Sequence, residues 1–191
     1  YLLELYVKNL IKNKYEYMIN LKSKEIINQK IFNQLIEKLA EEEDNIISEM
    51  YSKKKKRYPS NSNDPYEKEL HKIENLMFKI DDPIKLGSDK SELWEERYYK
   101  HYFHTENTEL DDFKRYISEQ YLIGLKWVTL YYFEKCPAWK WYFPYDHPTF
   151  LKDVAKHSKN FNFKDIKFEL GKPLKPFEQL LIVLPPDSRN L

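Results

Sequence analysis

The stretch that decides the fold is Tyr121-Leu-Ile-Gly-Leu-Lys-Trp-Val-Thr-Leu-Tyr-Tyr-Phe133, which runs through Glu134-Lys135 into Cys136-Pro-Ala-Trp-Lys-Trp-Tyr-Phe-Pro-Tyr145. Its first half belongs to a long helix opening at Thr108 or Glu109 and reaching about Lys135. Phe113, Ile117, Tyr121, Leu125, Val128 and Tyr132 form one apolar stripe at three- and four-residue spacing. Tyr116, Ile123, Trp127 and Leu130 fill much of the remaining surface. A helix apolar on most faces is expected to lie centrally, enclosed by others. Gly124 in its middle costs about 1 kcal/mol against Ala, which points to a close helix crossing there. Cys136-Pro137 ends the helix, because proline lacks the amide donor and restricts the residue before it. Residues 139–145 then have neither helical nor strand period and read as an aromatic loop.

Outward toward the N-terminus, Ser91 reads as the cap of a helix from Glu92 to about His101. Residues 81–88 are a loop. Pro65 sits in the first turn of a short helix whose buried face is read as Leu70, Ile73, Leu76 and Met77. Residues 53–64 carry lysines, Arg57 and a polar Ser-Asn tract without apolar period, so 53–66 reads as a mobile linker or insertion. Ile27, Ile31, Leu35, Ile36, Leu39, Ile46, Ile47 and Met50 predict an amphipathic helix over 26–51. Leu2, Leu3, Leu5, Tyr6, Leu10 and Ile11 predict an earlier helix, expected to pair with it as an antiparallel hairpin over 1–52. Residues 15–20 read as an extended link. Toward the C-terminus, 149–157 predict a short helix, 161–168 a polar-aromatic loop, and 176–184 a final helix with Pro176 at its first position and Glu178 near its positive end. The fold class is mainly α: an irregular multi-helix subdomain with a long central helix and an aromatic loop, its core over 67–191.

Composition narrows the function. The 191 residues carry 33% charged and 41% hydrophobic side chains and a net charge of +1, so no overall field advertises a nucleic-acid partner and any basic site is local. One cysteine excludes an internal disulfide framework and favours an intracellular origin, cytoplasmic or nuclear. No apolar run is long enough to span a bilayer. Three glycines argue against a Gly-rich phosphate loop. The chain begins at Tyr1 in mid-pattern, and both ends read as cuts in a longer protein. Aromatics reach 16%, and most are expected in the core.

Several side chains have plain readings. Consecutive acids Glu41 to Asp44 point around a helix rather than at one metal, so a solvated face is expected. His101 and His104 have no cysteine close in sequence, and Cys136 has no evident base partner. The Lys53–Arg57 run reads as a solvated linker.

Three stretches, in order, resemble the 5′→3′ exoribonucleases of the Xrn type, specifically their helical second conserved segment. Residues 121–145 resemble the family's Y-x-x-G-L-x-W-V-x-x-Y-Y helix and the W-x-W-Y-Y-P-Y loop after it. Trp94-Glu-Glu-Arg-Tyr-Tyr-Lys100 is similar to W-x-x-R-Y-Y-K. Gly171-Lys-Pro-Leu-Lys-Pro-Phe-Glu-Gln-Leu180, with Val183-Leu-Pro185, is similar to P-F-x-P-x-E-Q-L-x-x-V-L-P. One departure stands beside these: Tyr145-Asp146-His147-Pro148-Thr149 replaces the family's Tyr-His-Tyr-Ala-Pro.

The resemblance implies a parent enzyme that degrades 5′-monophosphorylated single-stranded RNA to mononucleotides, with Mg²⁺ held by carboxylates of a nuclease segment outside this chain. The helical segment packs on that nuclease segment and narrows its entrance. A loop tryptophan, Trp139 or Trp141, stacks on a base, an interaction worth about 1–3 kcal/mol that tolerates any base. Arg97, Tyr98, Lys100 and His147 are candidates for the active-site wall. No catalytic residue and no metal ligand is expected within the chain. A second reading, motivated by Asp146 to Thr149, is a diverged Xrn-like protein that binds RNA or partners without cleaving.

Overall fold

A computed structural model describes residues 2–7, 17–23, 25–55, 61–74, 82–105 and 110–185. Helices are α1 (Leu2–Leu5), α2 (Gln29–Lys55), α3 (Pro65–Glu74), α4 (Ser91–Phe103), α5 (Leu110–Phe133), α6 (Leu151–Ser158) and α7 (Pro176–Val183), with a 3₁₀ turn at Phe163–Asp165. The mainly α expectation holds. Among the described residues the β-structure is one isolated antiparallel bridge, Ile19 to Ile27, which closes a turn before α2 where an extended link was expected. Residues 15–16, Leu10, Ile11, Leu76, Met77, Thr108 and Glu109 lie outside the described residues, and with them part of the expected N-terminal hairpin.

The short helix α6 is the hub. Its Val154 and Ala155 are buried with Ile27, Phe32 and Ile36 from α2 and its approach, Leu122 of α5, and Phe163 of the 3₁₀ turn. The 3–4 spacing of Ile31, Phe32, Leu35, Ile36 and Leu39 aims that part of α2 at α6. Farther along, Ile46 and Met50 of the same stripe are exposed, so the apolar face fades before the helix ends. A second core gathers Ile84, Trp94, Tyr98, Tyr99, Ile117 and Phe150 between α4, α5 and the segment entering α6. The loop before α4 lies against α2 at Gly87. With φ +83, a Cβ there would stand 2.7 Å from the Ile47 carbonyl oxygen, so only glycine fits.

Charged side chains bind these layers. Glu43, inside the acidic run read as solvated, accepts the Leu151 and Lys152 amides at 2.7 and 3.0 Å. It caps α6 from α2, where the helix's own N-cap, Phe150, has no capping side chain. Its neighbour Asp44 pairs with Lys152 at 2.9 Å, whereas Glu41 and Glu42 do face solvent. Lys152 also pairs with buried Glu95 of α4. Lys114 of α5 stands 3.4 Å from Glu95 and 3.5 Å from Asp153 of α6. The Tyr99 hydroxyl donates to Asp153 at 2.6 Å and meets the Thr149 hydroxyl at 2.8 Å. Four helices therefore share one alternating charge cluster, with the Lys114 ammonium over the Tyr99 ring and the Lys152 ammonium over the Trp94 ring.

Several expectations are corrected. Helix α5 is not enclosed: Ile117, Ser118 and Leu122 are buried, but Tyr116, Val128, Tyr131, Tyr132 and Phe133 are exposed. Leu70 and Ile73 of α3 face outward, not inward. Ser91 is the first residue of α4, and Lys90 holds the cap position without a side-chain capping bond. The expected loop at 161–168 contains the 3₁₀ turn and the buried Phe163. Every residue of α7 is exposed, with Phe177 at 81%.

Two predictions concern this cluster. Lys114→Met leaves Glu95 and Asp153 short of a cation inside the fold, so it is expected to cost about 3–5 kcal/mol. Glu43→Ala, which only uncaps α6, is expected to cost about 0.5–2 kcal/mol. Urea melts of both variants check the ranking, and equal losses contradict it. The second concerns pH. Burial raises the Glu95 carboxyl above its ordinary range, against the pull of Lys152 and Lys114. A raised folded pKa makes protonation favour the fold: that contribution is complete below the unfolded value, about 4.5, and is lost as pH rises through the folded value. The stability of the wild type relative to Glu95→Gln should therefore increase as pH falls from 7 toward 5. Thermal melts across that range test it, and a constant difference rejects it.

Candidate nucleic-acid interface

The aromatic loop hangs between the end of α5 and the start of α6. Two hydrogen bonds hold its backbone, and ring contacts hold Trp141. The Trp127 indole Nε1–H donates to the Ala138 carbonyl at 2.9 Å. The Trp139 amide donates to the Leu170 carbonyl at 2.9 Å. Trp141 stacks on Trp127 with ring centroids 6.2 Å apart at 25°, and meets Phe168 edge-on. Tyr131 stacks on Trp127 in turn, 5.2 Å away and 9° from parallel. Spacing of four on α5 places Trp127 and Tyr131 on one face, which is why their rings meet.

The two loop tryptophans diverge, as a turning loop demands. Trp141 is half-buried against α5. The Trp139 side chain is 51% exposed although its backbone is pinned. Gly124 is not a helix crossing. It makes room for Trp141, whose Cη2 lies where a Cβ at 124 would stand 2.9 Å away. Between α5 and the loop runs an apolar groove of about 390 Å³, walled by Leu125, Val128, Trp141, Tyr145 and His147 among others.

The remaining sequence candidates divide. Tyr98 is buried and its hydroxyl donates to the Pro148 carbonyl at 2.7 Å; burial pushes its pKa up to about 12, so it stays a neutral donor. Tyr99 beside it is raised further by burial and by Asp153. His147 stacks on Tyr102 at 3.6 Å and meets Tyr98 edge-on. The structure thus brings Tyr98 and His147 together at the end of the aromatic loop. Arg97 turns the other way. Its Nε–H donates to the Ile84 carbonyl at 2.7 Å and its Nη2 to Asp89 at 2.8 Å, closing the loop before α4. Hydrogen bonding to Asp89 holds the guanidinium charged, and Arg97 in turn lowers the Asp89 carboxyl. Arg97 therefore has a carboxylate partner of its own chain. Lys100 is exposed and pairs with Glu96 at 3.0 Å.

Sequence reasoning missed Trp127, read as core, and Gly124 as the seat of an indole. Their spacing of three on one helix face was the available signal. It also missed Lys126, whose ammonium donates to the Phe163 and Ile166 carbonyls at 2.5 and 2.9 Å and so ties the 3₁₀ turn to α5. Burial lowers its pKa.

The chain that builds this arrangement matches a known family. A family model described as the Xrn1 helical domain matches residues 8–191. The chain belongs to that family. Among relatives of this Xrn1 helical domain, the 5′-3′ exoribonuclease 2 of Candida albicans is 42% identical over 106 residues, covering 53% of this chain and 11% of the relative. The enzyme of the same name from Schizosaccharomyces pombe is 43% identical over 97 residues, covering 51% of this chain and 9% of its own length. The 5′-3′ exoribonuclease 1 of Saccharomyces cerevisiae is 35% identical over 130 residues, covering 65% and 8%. The chain spans about a tenth of the length of these curated relatives. Among the described residues, no helix is long and apolar enough to cross a membrane.

Proposed function

We propose that this Xrn1 helical domain is the substrate-guiding segment of a 5′→3′ exoribonuclease acting on single-stranded, 5′-phosphorylated RNA. The observation that carries the reading is Trp139: an exposed indole on a backbone tied by hydrogen bonds at 138 and 139. An exposed ring on a fixed backbone offers a base its face, and accepts any base, as stepwise degradation requires. Trp141, seated on α5, serves in this reading as the anchor and not the stacking ring. Tyr98 and His147 shape the far end of the loop. Arg97 and Lys100 keep their intrachain partners and touch no substrate.

Hydrolysis belongs to carboxylates elsewhere in the parent. Among the described residues no group of three or more His, Cys, Asp or Glu is placed to hold a metal ion. The buried acids Glu95 and Asp153 are engaged by lysine ammoniums, an arrangement unsuited to Mg²⁺. We assign Mg²⁺ and the cleavage step to the nuclease segment of the full-length parent polypeptide. That segment is also the partner expected for the exposed apolar surface of α7 and the end of α5.

Two measurements test this. Trp139→Ala in the full-length parent is expected to lower kcat/KM on 5′-phosphorylated RNA by roughly 5- to 100-fold, the loss of about 1–3 kcal/mol of stacking, while leaving the Mg²⁺ half-saturation point unchanged. Wild-type kinetics in that variant would reject the stacking role. The isolated 191-residue chain is expected to leave the same RNA intact. Degradation that co-purifies with the chain through successive columns, and is abolished by substitutions within it, would place catalysis here instead.

A further inference from the structure

We infer that Gly124 and Trp127 are positioning residues for the aromatic loop, fixing from α5 where the Trp139 ring stands; this rests on the base-stacking reading of Trp139. The two lie three apart and so on one face of α5. Trp141 spans both. Its ring tip occupies the space that any Cβ at 124 would enter, and its face stacks on Trp127. The same Trp127 donates its indole N–H to Ala138. One side chain therefore grips the loop on either side of Trp139, at 138 by a hydrogen bond and at 141 by a ring stack. The Trp139 amide, bonded to Leu170, adds a further tie at the residue itself.

Glycine is disfavoured inside a helix, so its presence in the second half of α5 needs a local cause. The indole supplies it. A methyl at 124 presses on the far edge of the Trp141 ring, which Trp127 backs and Phe168 meets edge-on, so the ring has to shift against both. That shift draws on the loop at 141, two residues along the chain from Trp139. Neither Gly124 nor Trp127 needs to touch RNA for this to matter, because misplacing a binding group by about 1 Å can cost up to about a hundredfold in rate.

The test uses the full-length parent and a 5′-phosphorylated single-stranded RNA, with kcat and KM measured separately and melting followed for each variant. Gly124→Ala is expected to lower kcat/KM on the order of tenfold without moving the Mg²⁺ half-saturation point. Trp127→Phe, which keeps a ring but deletes the bond to Ala138, is expected to lower it severalfold. The decisive variant is Gly124→Ala combined with Trp141→Phe. The smaller ring leaves space for the methyl, so the double variant should return to about the level of Trp141→Phe alone. Relief of the overlap would restore stability as well, so KM and melting separate the two causes: simple loss of stability predicts a fall in kcat in proportion to unfolded protein with KM unchanged. Wild-type kinetics for Gly124→Ala, or a double variant no better than Gly124→Ala, overturns the inference. If Gly124→Ala does not fold, Trp127→Phe decides: a severalfold loss in a folded protein supports the inference and wild-type rates overturn it. Trp139→Ala separates the two levels. If it is fully active, the stacking reading fails and this inference with it; if it is slow while Gly124→Ala and Trp127→Phe are not, only the positioning fails.

Discussion

The structure depends on the buried charges around α6. Eight residues make a helix too short to persist unaided, and nucleation costs more than two turns return. Here it is held because Glu43 satisfies two of its orphan amides, Lys152 joins it to Asp44 and Glu95, and Asp153 joins it to Lys114 and Tyr99. Ionic groups removed from water add little net stability unless every member is paired. Their arrangement does fix geometry, since each helix has one register in which all the partners meet. The apolar cores on either side of α6 supply the bulk of the favourable energy.

That geometry reaches the proposed interface through a short path. Phe150, Thr149 and Pro148 lead directly into α6, and each is held by Tyr98 or Tyr99 of α4. The far end of the aromatic loop is therefore tied to the charge cluster, while its near end is tied to α5 through Trp127 and Gly124. A loop rich in large rings is kept in one shape at both ends by hydrogen bonds and ring contacts together. Loops that carry function are commonly positioned by a rigid scaffold, and here the scaffold is visible contact by contact.

Much of this was legible in the sequence. Period 3.6 patterns located the long helices, Pro137 and Pro176 marked a stop and a start, and the three motif stretches pointed to the family. What escaped has physical reasons. Periodicity reports where apolar residues recur, not whether anything covers them, so α3 and α5 read as more enclosed than they are. Glu43 looked like one acid in a solvated run because its partners lie more than one hundred residues away. Gly124 signalled a close approach correctly, but nothing in sequence says whether a helix or an indole approaches. Arg97 sits in a motif that suggested the active-site wall, whereas Asp89, eight residues earlier, claims it through a turn no pattern announces.

The capping of α6 by Glu43 has a bearing on how the chain acquires its shape. The carboxylate and the amides it receives are separated by 108 and 109 positions, so the loop that joins them must close before the helix gains its cap. Helix α2 is long and amphipathic enough to form early, from local contacts. Helix α6 has to await the arrival of α2, α4 and α5 at one place, and it belongs to the last, non-local stage of assembly. On the ribosome the first half of the domain would wait, its apolar stripe uncovered, until the residues of α6 had emerged from the exit tunnel.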